Sequence, residues 1–331
     1  MVNRRQFMKG SLAVSLLPLM KGCGQSSPRR WEAAAYRKPE RSHVAILEAK
    51  SYETPLTDVI IRGLKLFRID VQGKTVVLKP NLVEYDPQGV INTHPAVITA
   101  ALDAFRSLGA REVMVAEGPG HRRDNEYLLT ASGLYFALKE YRARYVDLDT
   151  EYALPFPLRS HFTSFQQFYF PETVVKADLL VSMPKLKTHH WAGVTLSLKN
   201  MFGVIPSAIY GWPKNPLHWA GIDNSIVDIN STLSVRQFAI VDGIVGMEGN
   251  GPIQGEAKHC GVLILGDDLV AVDATAARLM QIEPTHVPYL TKAGQFLGNV
   301  DMKKIEQIGE RLDLFQQDFR VLPRFRYLKA I

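Results

Sequence analysis

From His43 onward the chain alternates short apolar runs with stretches whose apolar residues recur at helical spacing. His43–Ala49 reads as a buried strand, and Pro55–Phe67 as a helix through Leu56, Val59, Ile60, Leu64 and Phe67. Lys74–Leu78, Glu112–Ala116, Arg144–Leu148, Asp178–Met183, Arg236–Val241 and Val262–Leu265 read as further strands. Pro95–Leu108 (proline at its start, Gly109 past its end), Asp124–Lys139, Ile222–Leu233 and Leu269–Met280 read as helices. Short strands separated by helices can lie parallel only through right-handed crossovers. The pattern therefore predicts one α/β domain over residues 43–331, with a mostly parallel sheet, helices on both faces and a Rossmann-like arrangement.

In such sheets ligands sit beyond the carboxyl ends of the strands. Polar residues fall there repeatedly: Lys79 and Asn81 after one strand, Glu117 and His121 after another, Lys185, Lys187 and His189 after a third, Asp242 after a fourth. One such residue is ordinarily a turn or cap residue, but the same habit on four strands predicts a shared pocket. Met183–Gly203 is the densest stretch. Lys185 and Lys187 flank Leu186 and would point the same way on an extended chain. Lys199 and Asn200 sit among Leu196, Leu198, Met201 and Phe202. A lysine buried there would lose affinity for its proton and suit nucleophilic or Schiff-base work. Histidines 94, 121, 189, 190 and 218 all fall in these loops, which leaves metal binding and acid/base chemistry both open. Late carboxylates include Asp242, Glu248, Asp267, Asp268 and Asp273, at no EF-hand spacing. The glycine-rich turns at 117–120 and 242–252 match neither a P-loop nor a dinucleotide fingerprint, though their N–H groups could meet an anion.

The net charge of +6 is not a nucleic-acid signal, because residues 1–22 carry +4 and residues 23–43 carry +3, leaving −1 for 44–331. Asn3-Arg4-Arg5-Gln6-Phe7-Met8-Lys9 and the apolar run Ser11–Met20 resemble a twin-arginine export signal over residues 1–23. That implies passage through the twin-arginine translocase and a place in the periplasm or cell envelope. Gly22-Cys23 resembles a lipoprotein cleavage site, with Cys23 carrying the lipid as the only membrane attachment and Lys21 as an atypical neighbour. Residues 24–42 read as a flexible tether. Cys260 is the only cysteine after Cys23, so this chain has no internal disulfide to expect and no cysteine-ligated iron–sulfur cluster of its own. No internal apolar run approaches the ~20 residues of a membrane span.

Several blocks together resemble the signature of the domain-of-unknown-function family 362. They are Lys79-Pro80-Asn81-Leu82, Thr93-His94-Pro95, Glu117-Gly118-Pro119-Gly120, Pro184-Lys185-Leu186-Lys187-Thr188-His189, Leu198-Lys199-Asn200-Met201-Phe202-Gly203, Val241-Asp242-Gly243 and Glu248-Gly249-Asn250-Gly251-Pro252, in family order over about residues 75–285. The resemblance implies a binding role for Thr93, His94 and Glu248 beside the strand-end residues. A looser similarity is to the nickel-pincer-nucleotide lactate racemases, in Thr93-His94-Pro95, Gly120-His121-Arg122, His189 to Lys199, and His218. It implies His121 and His189 as an acid/base pair, Lys199 as covalent anchor of an organic cofactor and His218 as a metal ligand. The chain departs from that pattern at His94, where the racemases have arginine, and at Val194–Leu198, where they have a Gly/Ser-rich run. The expectation is an exported enzyme, racemase- or oxidoreductase-like, acting on a small anionic carboxylate-type ligand with a metal or organic cofactor. The rival expectation is a metal- or ligand-binding envelope lipoprotein without turnover.

Overall fold

The computed structural model describes residues 30–32, 35–119 and 124–329. Its strands are β1 (Ser42–Glu48), β2 (Thr75–Pro80), β3 (Glu112–Glu117), β4 (Arg144–Asp147), β5 (Ala153–Pro157), β6 (Gln167–Pro171), β7 (Leu179–Met183), β8 (Lys185–His189), β9 (Gly193–Thr195), β10 (Gln237–Asn250), β11 (Gln254–Gly266) and β12 (Ile305–Gly309). The main sheet runs β12-β1-β11-β10-β7-β2-β3-β4, with β8 and β9 attached beside β10. Along that path only β11 runs against the rest.

The strands are buried on both faces, as parallel strands must be when helices cover both. Val77, Leu180 and Val241 join the core under the helices Ile222–Thr232, Leu269–Leu279 and Pro288–Ala293. Their neighbours Val76, Leu78, Leu179, Val181 and Ile240 join the core under Leu56–Leu66, Pro95–Ser107 and Leu134–Glu140. The chain thus winds outward from β2 through β3 to β4 with helices on one face. It then returns through β7 to β10 with helices on the other. The order reverses between β2 and β7, and that crevice is where a doubly wound sheet offers a ligand site.

Four local expectations change. The stretch 124–139 is two helices, Asn125–Ala131 and Leu134–Glu140, broken at Gly133, whose φ of +76° suits glycine. The strand expected to end at Val241 continues to Asn250. Gly243 and Gly246 read as turn residues in sequence, yet they sit within β10 because the backbone of neighbouring segments crowds them. A Cβ on Gly246 would lie 2.7 Å from the Leu186 carbonyl oxygen. Its partner β11 is likewise longer than expected. The described part of the expected tether is docked: Trp31 stacks on Phe296 and Phe162, and Lys38 donates to the Gly294 carbonyl. Residues 1–23, with the export motif and Cys23, lie outside the described residues, as does His121.

Candidate functional site

A cleft of about 220 Å³ opens beyond the carboxyl ends of β2 and β3, against β8 and the short helix Ser197–Asn200. It is lined by Lys79, Asn81, Glu117, Lys187, His189, Lys199, Asn200 and His218, all singled out in the sequence, and by His190, Trp191, Thr195, Phe202 and Lys214. Two of its four lysines are matched by carboxylates. Lys79 Nζ lies 2.6 Å from Glu117 Oε1 and also donates to the Pro80 carbonyl and Asn200 Oδ1. Glu117 in turn accepts from the backbone N–H groups of Leu82 and Gly118. Lys214 Nζ lies 3.2 Å from Asp149 Oδ1 and donates to the Gly118 carbonyl at 2.7 Å.

The other two lysines have no carboxylate partner among the described residues. Lys187 is fully buried and donates to the carbonyls of Ile91 and Pro252. Burial, then the charges of Lys199 and Lys185, hold its ammonium well below the ordinary lysine range. Lys199 Nζ rests over the Phe202 ring, 4.2 Å from its centroid. Burial first, and the cations Lys214 and Lys79 next, bring its pKa down to about 7, against the pull of Glu117. A substantial fraction of Lys199 is therefore a free amine at neutral pH.

The three imidazoles divide by which nitrogen the backbone holds. His189 Nδ1 accepts from the N–H groups of Trp191 and Ala192, so in the neutral ring the proton is on Nε2. Burial, followed by the Lys199 charge, keeps that ring neutral. His189 is thus arranged as a hydrogen-bond donor, and using it as a base requires giving up two backbone bonds. His218 Nδ1 donates to the Lys214 carbonyl and His190 Nδ1 to the Gly251 carbonyl, so each leaves its lone pair on Nε2. Burial, with the Lys199 charge second, lowers His218 to about 4. His218 and His190 are therefore both arranged to accept through Nε2, and burial leaves His218 a weak base.

The helix carrying Lys199 and Asn200 is held from a distance. Asp273, buried in the helix Leu269–Leu279, accepts the N–H groups of Ser197 at 2.7 Å and Leu198 at 2.9 Å. Burial raises its carboxyl to about 7 against those two bonds. Asn200 is consumed structurally: its amide donates to the Lys79 carbonyl and Ser182 Oγ while its oxygen receives Lys79.

Five expected binding residues lie elsewhere. Lys185 pairs with Asp242 at 2.6 Å and donates to Tyr52 Oη, within a neighbouring cluster. His94 caps the helix Pro95–Ser107 through Nδ1 and stacks on Tyr52 at 3.7 Å. Thr93 Oγ1 bridges the Asn81 N–H and the Met183 carbonyl. Glu248, far along β10, is held by Lys258 and Arg320. Glu248 lies off the cleft because β10 continues past Asp242 and carries it onto the hairpin arm. Lys214 was not anticipated. Its sole signal was a lysine between Pro213 and Asn215-Pro216, where the backbone takes φ +65°. Among the described residues no group of three or more His, Cys, Asp or Glu could hold a metal ion. Lys199 and His218, the two residues that the racemase resemblance gives to a cofactor, do share the cleft.

Fold and site together define a doubly wound α/β protein with a lysine- and histidine-lined pocket at its switch point. The chain belongs to the family Domain of unknown function (DUF362), whose profile matches residues 76–278. It is similar to the Thylakoid-associated protein sll1697 of Synechocystis sp. (strain ATCC 27184 / PCC 6803 / Kazusa), 26% identical over 264 residues that cover 74% of this chain and 76% of that protein. Among solved structures it is similar to the lactate racemase apoprotein from Thermoanaerobacterium thermosaccharolyticum, with a TM-score of 0.40, 16% identity and 68% of this chain covered. A protein from Thermotoga maritima gives a TM-score of 0.42 at 16% identity, with 70% covered. The chain spans 56% and 60% of the lengths of those two structures.

Proposed function

We propose that this protein is an enzyme that binds a small carboxylate anion in the cleft and acts on its carbonyl or hydroxyl carbon through Lys199. The observation that carries this reading is the charge imbalance of the cleft. Four lysines line it, two are matched by carboxylates, and Lys199 has only a ring face as a partner among the described residues. Lys199 is half-buried, and a cation drawn even partly out of water without a partner is costly, a cost that a bound anion removes. With a 2-oxo acid, the free amine of Lys199 attacks the carbonyl carbon and water leaves as the imine forms. His189 Nε2–H is a donor for the carbonyl oxygen, and the two protons that the amine sheds pass to that oxygen, which leaves as water, with the lone pair of His218 Nε2 as a relay. If an organic cofactor is carried on Lys199 instead, the group would bring electron-sink or hydride chemistry, and the same lysines would hold the substrate carboxylate.

The test is reductive trapping of pyruvate with borohydride, followed by peptide mass analysis. Adduct on Lys199 is expected, with a rate that rises with pH around a midpoint near 7 as the amine loses its proton. Anion affinity should move the other way, weakening as pH rises through the same midpoint, because the bound anion favours the ammonium. Trapping only on surface lysines sinks the enzymatic reading, and carboxylate binding without any adduct leaves a binding protein.

We also propose that residues 1–23 direct twin-arginine export and that Cys23 becomes the lipidated first residue. The paired Arg4-Arg5 and Gly22-Cys23 support this. The intact mass of protein recovered from its own host is expected to match a chain beginning at Cys23 plus lipid. A chain retaining Met1, or a mass without lipid, rejects one or both parts.

A further inference from the structure

The cleft is not uniform from floor to mouth. Lys79, Glu117, Lys187, His189 and Lys214 are each less than a tenth exposed and form its floor. Val83, Pro213, Pro252 and Ile253 are half-buried, and Trp191 is 52% exposed. These five line the same cleft beside the half-buried His190, Lys199 and His218, so its more exposed part is largely apolar above a charged floor. Trp191 is not a loose surface side chain. Its backbone N–H binds His189 Nδ1, and its indole sits edge-on to His190 at 5.0 Å and His218 at 4.9 Å.

A compact anion such as acetate would satisfy the floor and leave this apolar part in water. Thr195 Oγ1 and Asn81 Oδ1 are buried, line the cleft and have no hydrogen-bond partner among the described residues. The amide oxygen of Asn81 calls for a donor such as water, whereas the Thr195 hydroxyl can itself donate. Thr195 is 3% and Asn81 8% exposed. A hydroxyl at that depth is a donor waiting for an oxygen acceptor.

We infer that the ligand is an amphiphilic carboxylate, with its charged head among Lys187, Lys199 and Thr195 and an apolar chain or aromatic ring against Trp191, Val83 and Ile253. This rests on the reading that the floor takes a carboxylate, and it adds what lies above the head. Such a ligand fills the cleft with matched chemistry at each depth. The floor's surplus cations meet the carboxylate, and the rim's exposed apolar surface leaves water.

The experiment is a binding series on the full chain with acetate, butanoate, hexanoate and phenylacetate, measured by calorimetry at about pH 6, where Lys199 holds its proton. Each methylene seated on the rim is expected to tighten binding by about fourfold. Trp191→Ala and Ile253→Ser should each flatten that dependence, so that the gain per methylene falls toward onefold. Hexan-1-ol should not compete, since it lacks the head. Equal affinity along the series, or hexan-1-ol binding as well as hexanoate, overturns the inference. The two readings fail separately. Chain-length dependence without trapping on Lys199 removes only the proposed chemistry, whereas trapping of pyruvate with no chain-length dependence removes only the amphiphile.

Discussion

Replacing Lys199 by methionine is expected to abolish trapping of pyruvate while making the protein more stable. The side chain is similar in length, keeps its contact with Phe202 and removes an unmatched cation beside Lys79 and Lys214. The sign follows from proton linkage. Lys199 titrates at about 7 in the folded chain against an ordinary 10.5. Between those values the unfolded chain holds a proton that the folded one has shed, so wild-type stability rises with pH across that window. Below about 7 both states are charged and the burial penalty is fully present. The variant should therefore gain about 1–3 kcal/mol over wild type near pH 6 and less near pH 9. Urea unfolding at the two pH values measures it. A variant less stable than wild type at pH 6 would show that Lys199 is a structural residue.

The opposite result is expected at Glu117. Its carboxylate holds Lys79 Nζ and the N–H groups of Leu82 and Gly118, all at the floor. Glu117→Ala leaves a buried ammonium and two donors without acceptors, a loss of about 3–5 kcal/mol. Glu117→Leu combined with Lys79→Met should recover much of that stability, because the desolvated charge is gone along with its partner. Unfolding midpoints for the two single variants and the double one give the coupling energy, and additive losses would deny the pair. Gly203→Ala tests the same contact from outside. A Cβ there would lie 2.6 Å from Lys79 Nζ and press on Glu117 Oε1, so the pair has room only because position 203 lacks a side chain.

The alternation of strands and helices was legible because both faces of the sheet are covered. Each strand is then a nearly continuous apolar run with a sharp polar end. Those ends carried Lys79, Glu117, Lys187 and His189 into one cleft, and the apolar surroundings of Lys199 foretold its altered proton affinity. Pairing was not legible. Lys185 and Lys187 are two residues apart on β8, yet one is neutralised by Asp242 and the other meets only carbonyls. Which carboxylate reaches which lysine depends on sheet order, and no local pattern encodes that. The support from Asp273 was hidden for the same reason, since 75 or more residues separate it from the N–H groups it holds. The glycines of β10 misled because close backbone approach and tight turns select the same residue.

The β10–β11 turn ends as part of the cleft wall. The Pro252 carbonyl takes Lys187, and the Gly251 carbonyl takes both the N–H and the ring nitrogen of His190. A hairpin tip is ordinarily where an epitope tag or a protease nick does least harm. On this protein a cut between Asn250 and Gln254 would instead open the pocket from the side. If the cleft works as proposed, an antibody raised against that turn would block it without touching a single charged group on the floor.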